Sequence, residues 1–357
     1  VLIWPAPESG APLHGPEEEA QAVMQTTPPT LEMVAAVAGV SRSTVSRVVN
    51  ESPKVTPEAV AAVNAAIVKL GYVPNRVARS LASRRTFSIA LVIPETTARF
   101  FSDPFFASVV QGAAIHLSKT EYTLTLLISS ETDPEKTRRY LQGGNVDGAL
   151  ILSHHTDDRS YTELAGRLPV VFGGRPMSQE GEDAYVVDAD NAGAAEEATR
   201  HLLDRGRQRI AHIAGRRDMG ASVDRQEGWR RTMAAAGLAA DLVEGGDFTP
   251  HGGADAMRRL LDRDPGIDAV FAASDQMASG ALAVLKERGR RVPADVAVVG
   301  FDNNEYSRSA TPPLTTVEQP PTEQGAKMAQ VLVRLIEGEE VEHFTLLETR
   351  LIVRESS

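Results

Sequence analysis

The chain has 357 residues, enough for two or three compact units, and contains no cysteine, which excludes disulfides, thiolate zinc sites and a cysteine nucleophile and is compatible with a reducing cytoplasm. No run of about eighteen apolar residues occurs, so no membrane span is expected. The net charge of −11 is uneven: residues 30–85 hold eight Lys/Arg against three Asp/Glu, or +5, while residues 1–29 carry −4 and the remainder −12. A phosphate backbone responds to local charge, so overall acidity does not argue against nucleic-acid binding by the basic segment.

Residues 1–29 contain PAP, HGPEEEA and TTPP with little periodic pattern, and read as a disordered leader. They lack the positive start and apolar core of a secretory signal.

Order begins at LEMVAAVAGVSRSTVSRVVN, residues 31–50. Thr30 is placed to cap a first helix whose Leu31, Val34, Ala35 and Ala38 share one face, and Gly39 ends it. Ser41 caps a second helix around Val45, Val48 and Val49. That leaves Arg42, Ser43, Thr44, Ser46, Arg47 and Asn50 polar, a set of donors sized for a major groove. The pair reads as a helix-turn-helix with the second helix reading DNA. A third helix is announced by Thr56 as cap, Pro57 at its first position and Glu58 in its first turn, with Val60, Val63, Ile67 and Leu70 inward. After Pro74, Asn75 is placed to cap a short helix over residues 76–83, about two turns, too short to be stable alone.

Three segments, AGVSRSTVSRVVN, SPKVTPE and LGYVPNRVARSLAS, resemble in order and spacing the DNA-binding region of the LacI/GalR family of bacterial regulators. By that resemblance Arg42, Ser43 and Arg47 contact bases, while Thr44, Ser46, Asn50 and Lys54 mostly serve the backbone. The short helix, with Asn75, Arg76 and Arg79, becomes a hinge helix in which Leu81 is a wedge for the minor groove, kinking the operator at a flexible step.

From residue 87 onward, β-rich runs at 88–94, 123–129, 148–152, 170–172, 209–214, 269–273 and 296–300 alternate with helical stretches such as 191–203 and 276–287. This is the pattern of parallel sheets flanked by helices, with ligands at the carboxyl ends of the strands. The resemblance continues through NAGAAEEATRHLLDRGRQRIAHIAG, AVFAASDQMASGAL and VAVVGFDNNEYSRSATPPLTTVEQP, and implies a two-lobed core of the periplasmic-binding-protein fold joined by three crossovers. The expected organisation is a leader at 1–29, a head at 30–74, a hinge at 75–86 and an effector-binding, dimerising core at 87–357. Within the core the first lobe takes 87–187 and a return near 322–340, and the second takes 188–319 and the final strand.

The resemblance also places effector positions. Arg225 in SVDRQEGW and Asp302 in VVGFDN match an arginine and a carboxylate that grip ligand from opposite sides; a guanidinium fork and a carboxylate suit vicinal hydroxyls. Phe248 matches an aromatic of the pocket, whose ring suits the apolar face of a pyranose or a base. Phe105 and Phe106 fall on the facing lobe, one turned to the cleft and one to the core, with His154; Ser274 and Gln319 complete the set. Ser274 stands where sugar-responsive relatives often carry asparagine, and Gly173-Gly174-Arg175 replaces bulkier groups, which implies a roomier pocket with a cation and a di- or oligosaccharide rather than a monosaccharide.

His154 and His155 lack a third ligand at useful spacing, so no metal is expected, and no cofactor. Nucleophile-elbow, P-loop and zincin motifs are absent, so no enzyme is expected. The function implied is a cytoplasmic, homodimeric repressor of carbohydrate-utilisation genes that binds palindromic operator DNA and answers to a saccharide, without a membrane partner. No leucine-heptad helix follows the final strand, so a tetramer is not expected. Two alternatives stay open: a solute-binding protein of the same fold, and a regulator whose corepressor is a purine or another non-sugar metabolite.

Overall fold

A computed structural model describes residues 28–50, 52–73, 85–128, 134–153, 155, 164, 166–177 and 184–357. Contacts divide the chain into two units, Val1–Arg85 and Thr86–Ser357.

The described part of the first unit is three helices, α1 (Leu31–Ala38), α2 (Arg42–Val49) and α3 (Pro57–Leu70). Each start is set by a hydroxyl that accepts a backbone N–H: Thr30 from Met33, Ser41 from Thr44 and Thr56 from Ala59. Gly39 and Gly71 end α1 and α3 in the left-handed conformation, at φ of 66° and 62°. Val34, Ala35, Val45, Val63, Ala66 and Tyr72 form a small core. Tyr72 belongs to it although it lies beyond α3 and outside the helical periodicity.

The second unit holds two six-stranded sheets. The first contains β1 (Ser88–Ile93), β2 (Thr123–Ile128), β3 (Gly148–Leu152), β4 (Val170–Gly173), β5 (Tyr185–Ala189) and β11 (Phe344–Leu347) in the order β11-β5-β4-β3-β1-β2, every pair parallel. The second contains β6 (Ile210–Ala214), β7 (Val243–Gly245), β8 (Ala269–Ala272), β9 (Ala297–Asp302), β10 (Thr315–Glu318) and β12 (Arg350–Ile352) in the order β12-β10-β9-β8-β6-β7. Only β12 runs antiparallel, with Thr316 opposite Ile352. Strands β3 and β8 are continuous apolar runs and β1 is one after Ser88, as burial on both faces requires, while β6 is broken only by the buried His212.

The helices of the core unit are α4 (Thr97–Ser102), α5 (Pro104–Leu117), α6 (Pro134–Gln142), α7 (Asn191–Asp204), α8 (Gly220–Ala235), α9 (Pro250–Arg263), α10 (Asp275–Glu287), α11 (Glu305–Ser309) and α12 (Pro321–Glu337). Helix α12 returns to the first lobe and crosses α5 at glycines: a Cβ on Gly112 would lie 1.8 Å from the Thr322 carbonyl, and one on Gly325 2.0 Å from that of Val109.

The chain passes between lobes after Ala189, after Glu318 and between Leu347 and Arg350. Two lobe limits therefore differ from the sequence reading. Strand β5 carries the first lobe to Ala189, and the return segment reaches Leu347 because β11 pairs with β5. Among the described residues no helix is long and apolar enough to cross a membrane.

Candidate functional site: an interlobe cleft and a helix-turn-helix head

Both sheets point their carboxyl ends into one cleft of about 640 Å3. From the first lobe, the turn after β1 leads into α4, capped by Thr96, and α5, capped by Asp103 with Pro104 at its first position, which brings Arg99, Asp103, Phe105 and Phe106 to the cleft. Ser153 follows β3, Gly174 follows β4, and Asp188 lies in β5. From the second lobe, Met219 follows β6, Arg225 sits on α8, Phe248 follows β7, Ser274 follows β8 and Asp302 ends β9. Gln319 and Gln324 flank the crossover between β10 and α12.

Arg225 is 4 % exposed, and its fork is fixed from two sides: Nε donates to Asn191 Oδ1 at 2.9 Å and Nη1 to the Ala273 carbonyl at 2.7 Å. Its guanidinium carbon lies 3.5 Å from the centroid of the Phe301 ring. Burial works against its charge, and the carboxylates of Asp302, Asp188, Asp275 and Asp224 sustain it. Asn191 also donates to Asp188 Oδ1 at 3.0 Å, so arginine, amide and carboxylate form one chain along the cleft wall. Burial lifts the Asp188 carboxyl to about 6.

Asp302 accepts from Gln319 Nε2 at 2.5 Å. Burial raises its carboxyl well above the ordinary range, the nearby Asp275 and Asp103 adding to the effect and Arg225 opposing it. The cap of the following helix α11 is Asn304, whose side chain accepts from the Tyr306 N–H, so Asp302 is not engaged as that cap. Four of the five non-glycine residues with positive φ among the described residues cluster here: Ser153, Phe248, Asp302 and Asn303. Strain of this kind persists where the surroundings hold a side chain at a chosen angle.

Arg99 is a cleft residue that sequence reading missed. Its Nη1 donates to the Asp247 carbonyl across the lobes at 2.5 Å, and its guanidinium lies 5.5 Å from the centre of the Phe248 ring. Carboxylates of Glu95 and Asp103 lie 3.6 and 3.8 Å away, and Arg99 Nε is buried without a hydrogen-bond partner among the described residues. Asp103, Asp188, Asn191 and Gln324 were also missed. Their signal is position: Asp188 and Asn191 lie beside the first crossover, Gln324 beside the second, and Asp103 caps α5.

A second interlobe link stands beside it. His155 places Nε2 3.2 Å from Glu95 Oε1 and Nδ1 3.1 Å from Asp218 Oδ2, and Ser153 donates to Glu95 at 2.7 Å. Burial disfavours the imidazolium, but the Glu95 hydrogen bond and the charges of Glu95 and Asp218 outweigh it and raise the histidine above its ordinary value.

Of the positions singled out from sequence, Phe105, Phe106, Arg225, Phe248, Ser274, Asp302 and Gln319 line this one cleft, and His154 lies outside the described residues. Phe106, 2 % exposed, belongs to the hydrophobic core beneath, whereas Phe105 is half-buried. Ser274 is engaged as the cap of α10, accepting from Met277 N–H at 3.2 Å, which leaves its hydroxyl proton to donate. Arg175 does not line the cleft. Its backbone N–H goes to Asp188 and its guanidinium to Asp224 on α8 at 2.5 Å, so the cleft's second cation is Arg99. Among the described residues no group of three or more His, Asp or Glu is placed to hold a metal.

In the head, Arg42, Ser43 and Arg47 are exposed along α2 with Asn50 at its end and Lys54 in the following turn. Thr44 and Ser46 are half-buried. Ser43 and Thr44 hydroxyls each pair with Ser41 Oγ at 2.8 Å, Asn50 Nδ2 donates to the Ser46 carbonyl, and Arg42 pairs with Glu32 of α1 at 3.0 Å. Asn75, Arg76, Arg79 and Leu81 lie outside the described residues.

A helix-turn-helix unit together with a two-lobed, polar-lined cleft defines a ligand-responsive DNA-binding regulator. Residues 30–75 match the model for bacterial regulatory proteins of the lacI family, and residues 199–357 match that for a periplasmic binding protein-like domain. The chain is 49 % identical over 334 residues to the HTH-type transcriptional regulator CelR of Thermobifida fusca, covering 92 % of this chain and 98 % of that one. It is 35 % identical to the ribose operon repressor of Escherichia coli K12, covering 92 % and 99 %. Among solved structures it resembles a CelR–cellobiose complex (48 % identity, 92 % of this chain and 100 % of that chain, TM-score 0.74) and the Lac repressor dimer bound to operator and an anti-inducer (27 %, 92 % and 99 %, 0.81). The chain belongs to the LacI family and is a DNA-binding transcriptional regulator. The alternative of a solute receptor without DNA is thereby set aside.

Proposed function

We propose that this protein is a cytoplasmic, homodimeric, non-enzymatic repressor of carbohydrate-utilisation genes, with a head at 30–74, a hinge at 75–86 and an effector-binding core at 87–357, and that its effector is a neutral disaccharide of the cellobiose type. The observation that carries this is the composition of the cleft. Arg225 and Asp302 offer the fork and carboxylate that bracket vicinal hydroxyls, and Phe248 offers a ring to the apolar face of a pyranose. Arg99 is shared with Glu95, Asp103 and the Asp247 carbonyl, and Arg225 is fixed by Asn191 and the Ala273 carbonyl, so neither is placed to neutralise a phosphate, which disfavours a phosphorylated ligand. The cellobiose-bound relative supports the same reading.

In this reading Arg42, Ser43 and Arg47 read bases, while Thr44, Ser46, Asn50 and Lys54 hold the backbone. Asn75, Arg76, Arg79 and the Leu81 wedge act at the minor groove. Effector that bridges the lobes favours their closed arrangement, and linkage converts that preference into a change of operator affinity. A coupling of about 1–3 kcal/mol, or roughly 5–150-fold, suffices for regulation.

The test is a thermal-shift screen of the full chain against cellobiose, other disaccharides, monosaccharides, sugar phosphates and purines, followed by operator release on a gel. Stabilisation and release by cellobiose are expected. Tight binding confined to a purine or a free monosaccharide would overturn the assignment.

A further inference from the structure

We infer that Asp275 is the positioning residue that sets the Asp302 carboxylate toward effector, by fastening the strained turn that follows β9. The inference rests on the saccharide reading above, in which Asp302 meets ligand hydroxyls. Asp275 itself is not among the residues that line the cleft.

Asp302 ends β9 with φ 116° and Asn303 follows at 56°, so two consecutive residues with side chains occupy the left-handed region that favours glycine. Such a turn keeps its shape only where its neighbours over-determine it. The next two backbone N–H groups, those of Asn303 and Asn304, both lead to Asp275. The Asn304 N–H donates to Asp275 Oδ2 at 3.0 Å. The Asn303 N–H donates to the Thr316 hydroxyl at 3.4 Å, and that hydroxyl donates in turn to Asp275 Oδ1 at 2.6 Å. One carboxylate oxygen thus holds the turn directly and the other holds it through β10.

The surroundings are shaped around this carboxylate. Neither Asp275 nor Thr316 has exposed surface, and a Cβ on Gly300 of β9 would lie 2.4 Å from Asp275 Oδ1. Asp275 is also the first residue of α10, whose start is fixed by the Ser274 cap, so the helix that presents the Ser274 hydroxyl to the cleft also aims Asp275 at the turn. A carboxylate here works against itself: burial lifts it to about 7, and its charge adds to the raising of the Asp302 carboxyl. The bonds from Thr316 and Asn304 offset that cost. The Asn303 side chain is held separately, donating to Glu318 Oε1 at 2.7 Å and accepting from Arg354 Nη2 at 2.5 Å. Those two bonds fix a side chain, whereas Asp275 and Thr316 fix the backbone from which Asp302 projects. Released from them, the turn can relax toward negative φ and carry the Asp302 carboxylate away from its place opposite Arg225.

The experiment is calorimetric titration of the full chain with cellobiose, with thermal unfolding and operator binding measured alongside, for the wild type, Asp275→Asn, Thr316→Val and Thr316→Ser. Asp275→Asn leaves one acceptor where there were two, Thr316→Val removes the hydroxyl at nearly constant shape, and Thr316→Ser keeps it. Cellobiose affinity is expected to fall about tenfold in Asp275→Asn and in Thr316→Val, and to stay within about twofold of wild type in Thr316→Ser. Operator binding without effector should match wild type in all three. The Thr316 pair decides the matter if Asp275→Asn does not fold. Unchanged cellobiose affinity in folded Thr316→Val, even with a lowered melting temperature, would overturn the positioning role, as would equal losses in Thr316→Val and Thr316→Ser; the disaccharide reading would then stand alone. Failure of the wild type to bind cellobiose would overturn the disaccharide reading and this inference together.

Discussion

Replacing Gly215 by alanine probes whether Phe248 must hold its position for effector to bind. Gly215 follows β6, and a Cβ there would come within 2.1, 2.5 and 2.7 Å of the Cζ, Cε2 and Cε1 atoms of Phe248, where ordinary contact begins near 3.4 Å. The ring must therefore retreat by more than about 1 Å. It has little freedom to do so gently, because Phe248 is 8 % exposed and its backbone is held at φ 61°. A displaced ring loses its stacking on the sugar and disturbs the Arg99 guanidinium 5.5 Å from its centre. The contribution of an aromatic contact, about 0.5–1.5 kcal/mol beyond area burial, sets the expected loss at roughly 2–13-fold in effector affinity. Overpacking adds a loss of about 1–3 kcal/mol in stability. Titration with cellobiose measures the first, thermal unfolding the second, and operator binding without effector should stay at the wild-type level. A folded Gly215→Ala protein with undiminished cellobiose affinity would show that the Phe248 ring does not form part of the effector site.

Arg225→Lys keeps a positive charge but removes the fork that reaches Asn191 and the Ala273 carbonyl, so operator binding should persist while cellobiose no longer releases DNA on a gel; normal release would remove Arg225 from the site. Arg42→Ala should weaken operator binding by about 1–3 kcal/mol, read by fluorescence anisotropy, and unchanged affinity would refute base contact by this side chain. Leu81→Ala should reduce operator bending and affinity while leaving effector affinity nearly unchanged, and an unaltered bend angle would count against a wedge. His155 gains carboxylate partners from both lobes, which raises it above 6.5. Its contribution to closure is therefore complete below that value and declines as pH rises through the raised one; cellobiose affinity should fall over that interval, and His155→Gln should flatten the profile.

The head was legible because its signals are local. Thr30, Ser41 and Thr56 cap the helices they precede, and each lies within three residues of the N–H it accepts. The long apolar strands were legible for a related reason, since burial on both faces leaves runs such as SIALVI and GALIL without interruption. Strands β7, β10, β11 and β12 are three or four residues long, too short to show a period or an apolar run even where, as in TTVE of β10, the residues favour strand, so they are defined by pairing with distant segments. The cleft divides in the same way. Arg225, Phe248 and Asp302 became candidates through resemblance over long motifs, whereas Arg99 and Asp103, a few residues before Phe105, matched no motif. What gives Arg99 its role is the Asp247 carbonyl and the Phe248 ring, almost 150 positions later in the chain and brought opposite by the meeting of two lobes. Arg175 shows the converse. A cation beside a glycine pair looked like a ligand contact, yet Asp224 lies within reach on the other lobe and engages it. A charged side chain near a cleft is claimed by whichever partner the fold brings nearest, and that competition is settled in three dimensions.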